Sequence, residues 1–80
     1  MPDPIEAPTL IDIAAREGLS IMEVQVLQLT GEGHQAKTIA SVLYKSTRTI
    51  EAARRRILQK LNAQSLAHAV LIACRKGLIK

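Results

Sequence analysis

The chain has no tryptophan, no phenylalanine and one tyrosine, Tyr44, so its core must be built from Leu, Ile, Val and Ala. That composition favours helix packing over sheets, which draw on aromatic and β-branched residues. A single cysteine, Cys74, excludes an internal disulfide. One Cys with two distant histidines, His34 and His68, does not supply the ligands of a zinc site. No cofactor or metal is expected. All three prolines lie in residues 1–8, MPDPIEAP, an acidic opening unlike the basic and then apolar start of a signal peptide. No apolar run reaches the roughly 18 residues that span a bilayer, and a cytoplasmic protein with no membrane partner is expected. At 80 residues the chain makes one domain at most and buries only about 60% of its unfolded surface.

The charge that is present is unevenly placed. Residues 1–33 carry one base, Arg16, against six acids, a net −5, whereas residues 34–60 carry seven bases against Glu51 alone, a net +6. A cationic segment of this kind is either a solvated face or the dock for a polyanion.

Apolar spacing divides the chain into helices. Residues 1–8 are read as a flexible arm. Residues 9–17, TLIDIAARE, are expected to form a short amphipathic accessory helix closed by Gly18. Ser20 stands three residues before Glu23 at the head of an apolar run, the capping-box arrangement, and predicts a helix to about Thr30. Gly31 and Gly33 are expected to let the chain turn at positive φ. A short helix fits residues 35–43, with Ala36, Ile39, Ala40 and Leu43 on one side. After the turn Tyr44-Lys45-Ser46, a longer helix carries Ile50, Ala53, Ile57 and Leu61 inward, widened by Leu58. Its other side presents Arg48, Ala52, Arg55, Arg56 and Gln59, with Glu51 on the flank. A last helix begins after Ser65, packs Leu66, Ala69, Val70 and Ala73, and ends at Gly77.

A short helix, a three-residue turn and a longer helix with a basic outer face are the parts of a helix-turn-helix. The major groove of DNA admits one helix of this width. No paired carboxylates, nucleophile-base pair or metal cluster can be assembled, so an enzyme is not expected.

From Leu19 to Ile79 the chain resembles the LuxR-type (NarL/FixJ/GerE-like) DNA-binding domain. The residues that carry the likeness are Leu19-Ser20, Glu23, Val26-Leu27, Gly33, Lys37, Ile39-Ala40, Leu43, Ser46, Thr49-Ile50, Ile57, Lys60-Leu61, Ala69 and Gly77-Leu78. The resemblance implies an all-α, four-helix LuxR-type helix-turn-helix domain over residues 19–80, preceded at 1–18 by the arm and the short extra N-terminal helix. It also implies that the third helix of the domain enters the major groove and that the fourth often dimerises. Thr49, Glu51, Ala52 and Arg55 fall where family members approach DNA, and Lys37 is similar to a lysine that meets the phosphate backbone. Four departures stand out. Glu51 stands where many members have Lys, Ala53 replaces a usual His, Gln35 replaces the capping Ser/Thr of the second helix, and Thr38 replaces the Glu of its capping box.

The expectation is thus a transcriptional regulator that binds double-stranded DNA with the helix at about 47–61. Arg48, Glu51, Ala52, Arg55 and Gln59 are assigned to base edges, and Lys37, Thr49, Arg56 and Lys60 to phosphates. Arg54 is expected to lie over the helix packing, to pair with Glu51, or to touch phosphate. Tyr44 is expected to anchor packing in the turn, and His34, His68 and Cys74 to be loop, surface or interface residues. The apolar stripe of the last helix either belongs wholly to the core or leaves Leu66, Val70 and Cys74 to pair with a second copy. Other expected partners are a full-length regulator and RNA polymerase. The alternative reading is an antagonist that pairs through its last helix with a full-length regulator. The initiating Met and the acidic arm lean toward a stand-alone product.

Overall fold

The computed structural model describes residues 14–79. Residues 14–16 are helical and run into a turn at 17–18. Four helices follow: α1 (Ile21–Gly31), α2 (Ala36–Leu43), α3 (Thr47–Lys60) and α4 (Leu66–Arg75). The all-α, four-helix expectation holds. The expected arm, and residues 9–13 of the accessory helix, lie outside the described residues. Ala14, at the start of the described chain, is 1% exposed and belongs to the core.

Each helix starts where a polar side chain replaces a missing backbone partner, with one exception. At α1 the Ser20 hydroxyl accepts from the Glu23 N–H at 3.1 Å and the Glu23 carboxylate accepts from the Ser20 N–H at 2.9 Å, a complete capping box. Ser46 caps α3 by accepting from Thr49 N–H, and Ser65 caps α4 by accepting from His68 N–H, both at 3.1 Å. The exception is α2, whose N-cap Gln35 makes no side-chain bond. That is the departure noted at Gln35.

The helix ends share a second device. In five places a residue in the left-handed region lets the next N–H reach the carbonyl five residues back: Leu19 to Ala14, His34 to Leu29, Lys45 to Ala40, Ala63 to Leu58 and Leu78 to Ala73. The residues that turn the chain are Gly18, Gly33, Tyr44, Asn62 and Gly77. Gly31 is not among them, against expectation: it stays in the helix α1. There a Cβ would stand 3.3 Å from Val70 Cγ1 and 3.4 Å from Ile79 Cδ1, so its bare backbone makes room for α4 and the C-terminal segment.

Packing follows the apolar stripes. Ile50, Ala53 and Ile57 on α3 are fully buried against Val26 and Leu27 of α1, Ile39 of α2 and Ala69 and Ala73 of α4, in one cluster closed by Leu61, Leu78 and Ile79. The helix α3 touches each of the other three. So does α1, and α3 has one side in the core and the other outside. Ala53 is part of that buried interior.

Candidate nucleic-acid interface

Because Ile50, Ala53 and Ile57 turn inward at spacings of three and four, the residues on the opposite side of α3 turn outward. Arg48, Glu51, Arg55 and Gln59 are exposed, and the small Ala52 among them is half-buried. None of the four polar side chains makes a hydrogen bond or ion pair among the described residues. The structure thus brings the five base-edge candidates onto one open face. Lys37, in the first turn of α2, is exposed and unpaired among the described residues too. The Thr49 hydroxyl lies 2.8 Å from that of Ser46 and is part of the α3 cap.

The other two phosphate candidates stand apart from that face. Arg56 Nε and Lys60 Nζ reach the Glu23 carboxylate on α1 at 3.2 and 2.8 Å. Glu23 is 2% exposed, the one buried charged residue among those described, while its partners remain open to water on one side. Burial pushes the Glu23 carboxyl pKa up. The Lys60 hydrogen bond, the Ser20 N–H, the Arg56 hydrogen bond and the Lys60 charge outweigh that effect and hold it below the usual glutamate range. A buried acid with two cations and a backbone donor is thereby satisfied. Sequence reasoning gave Glu23 a capping role only. Its place in the stripe of Val26 and Leu27, at spacings of three and four, was the signal that it would be carried inward.

One alternative for Arg54 is excluded, and the expectation for Tyr44 is corrected. Arg54 does not pair with Glu51. Its guanidinium donates to the His34 carbonyl at 3.1 Å and to the Thr30 hydroxyl at 3.3 Å, pinning α3 to the end of α1 and the loop beyond it. Tyr44 does not anchor packing, being 94% exposed. A backbone in the left-handed region swings the side chain away from the core while still ending α2.

On α4, Leu66 and Val70 are half-buried and Cys74 is exposed. Leu66 and Val70 line a shallow cavity of about 380 Å³ with Thr30, Gly31 and Ala67. His68 is exposed, and its Nδ1 accepts from the Gln64 N–H at 3.2 Å, adding to the cap of α4. His34 is exposed beside Glu32 at 3.7 Å. Among the described residues, no helix is long and apolar enough to cross a membrane.

Residues 17–73 match the family described as bacterial regulatory proteins, luxR family. The chain is similar to BvgA of Bordetella pertussis, named as a virulence-factor transcription regulator, with 42% identity over 60 residues, 75% of this chain and 29% of that protein. It is similar to the oxygen regulatory protein NreC of Staphylococcus carnosus, with 39% identity over 61 residues, 76% of this chain and 28% of that one. YxjL of Bacillus subtilis, named as a transcriptional regulatory protein, is 40% identical over 58 residues, 72% of this chain and 27% of its own. The chain spans under a third of the length of these relatives. No solved structure matches it.

Proposed function

The chain belongs to the luxR family of bacterial regulatory proteins, and on that premise we propose that it is a transcriptional regulator that seats the outer face of α3 in the major groove of duplex DNA. This family is one of regulators, not of enzymes. The observation that carries the reading is the cluster of Arg48, Glu51, Arg55 and Gln59, exposed around Ala52 on a helix whose opposite side is fully buried. Side chains with no partner among the described residues are available to base edges, and the small Ala52 lets the backbone approach the groove floor.

The roles follow from donor chemistry. Arg48 and Arg55 offer the paired N–H groups that match guanine O6 and N7, Glu51 accepts from cytosine N4, and Gln59 matches adenine. Lys37 and Thr49 meet phosphates, which set register without reading sequence. Arg56 and Lys60 share one compensating charge on Glu23, so together they act on phosphate as roughly a single cation. A second copy would pair through Leu66, Val70 and Cys74 on α4 and place two half-sites about 34 Å apart.

Selecting bound sites from a random duplex pool, then titrating variants on the recovered site, tests the reading. Arg55→Ala should lose about 1–3 kcal/mol on that site only. Lys37→Ala should weaken all sequences alike and flatten the salt slope by about one. Equal losses from both changes on random DNA would refute this division. A chain that ignores duplexes yet captures a full-length regulator would point to the antagonist instead.

A further inference from the structure

Among the five left-handed helix closures, four use the residues that adopt this conformation most readily, Gly18, Gly33, Asn62 and Gly77. The fifth, between α2 and α3, uses Tyr44, at φ 58 and ψ 42. A bulky residue in that region is strained. Elsewhere such strain is repaid by packing, but this ring is 94% exposed and its hydroxyl makes no hydrogen bond among the described residues. Nothing among the described residues rewards a tyrosine here. It is also the only aromatic side chain in the sequence.

Tyr44 lies at the head of α3, two residues before its Ser46 cap, and Lys45 between them is exposed and unpaired among the described residues. In a helix-turn-helix the second helix points its first residues at base edges while the first helix crosses the backbone. The turn between them then stands against the groove wall, where sugars and phosphates are the available surface. A phenol suits that surface, because its ring covers a deoxyribose and its hydroxyl donates to a phosphate oxygen without adding charge.

We propose that Tyr44, with Lys45, clamps the sugar–phosphate wall of the groove that α3 enters, making the left-handed tyrosine a DNA-contact residue. This rests on the groove reading of α3. The 80-residue chain is titrated against a fluorescent duplex recovered by selection, alongside Arg55→Ala, Tyr44→Phe and Tyr44→Gly. Tyr44→Gly relieves the backbone, so its thermal midpoint should rise while its duplex affinity falls about three- to tenfold. Opposite signs in one variant separate lost contact from lost folding. Tyr44→Phe should lose about two- to threefold, with the salt slope unchanged, since a neutral donor displaces no counterion. Tyr44→Gly binding within twofold of the parent, while Arg55→Ala is weakened, overturns the clamp and leaves the groove reading standing. If the parent chain binds no duplex, both fall together.

Discussion

Replacing Glu23 by glutamine isolates the charge of the one buried acid among the described residues, because a glutamine at this position still accepts from the Ser20 N–H and completes the capping box. The substitution removes the anion that Arg56 and Lys60 approach at 3.2 and 2.8 Å. Hydrogen bonds to charged groups contribute about 1.5–3 kcal/mol each when buried. Both cations here are partly open to solvent, with side chains 48% and 36% exposed, and water takes back part of that gain. A net loss of about 2 kcal/mol is expected from the pair. Against a total of about 4–12 kcal/mol for a domain of this size, that is a large share. It corresponds to a fall of roughly 8–16 °C in thermal midpoint. Glu23→Ala should fall further by about 1 kcal/mol, because it also removes the acceptor of the Ser20 N–H.

Acid adds a second readout. Folding lowers the Glu23 pKa, so the unfolded chain binds this proton more tightly than the native one. The stabilisation is present in full above the unfolded value, about 4.3, and is lost as pH falls through the lower native value. Thermal melts followed by circular dichroism from neutral pH to about pH 3 should show the gap between parent and Glu23→Gln closing at the acid end. A midpoint for Glu23→Gln within 2 °C of the parent at neutral pH, or a gap that does not narrow in acid, would refute the account of the triad. The freed cations should also steepen the salt dependence of duplex binding by about 0.9, the value of one added charge.

Two smaller changes have defined signs. Gln35→Ser installs the side-chain cap that α2 lacks, in a backbone already extended at φ −79 and ψ 161, and should stabilise by about 0.5–1 kcal/mol; an unchanged denaturation midpoint would show that the α2 start is held by something else. Ile57→Ala opens a cavity at a side chain with no exposure and should cost about 2–5 kcal/mol. A folded protein with a near-native urea midpoint would mean that the core tolerates collapse at this point.

The helices, their serine caps and the buried stripe of α3 were legible because they depend on residues three and four apart. What could not be read is what depends on how helices cross. Glu23 meets Arg56 and Lys60 from 33 and 37 residues away. Arg54 finds Thr30 and His34 from 24 and 20 residues away, in preference to Glu51 one turn before it. Gly31 reads as a turn residue by type, yet its role is set by Val70 and Ile79 arriving from the other end of the chain. For the candidate interface, periodicity correctly turned Arg48, Arg55 and Gln59 outward but could not tell an open cation from one already held. Tyr44 reads as a packing residue because aromatic side chains usually pack, whereas here the backbone conformation decides where the ring goes.

The central claim is that the face around Ala52 lies against base pairs. With Cys74 changed to serine, a photo-crosslinker attached at Ala52→Cys should join the protein to bases within the selected duplex, while the same group at Gln25→Cys on α1 should not. Duplex binding that persists with no crosslink from position 52, or with equal yield from position 25, would contradict the placement of α3 in the groove.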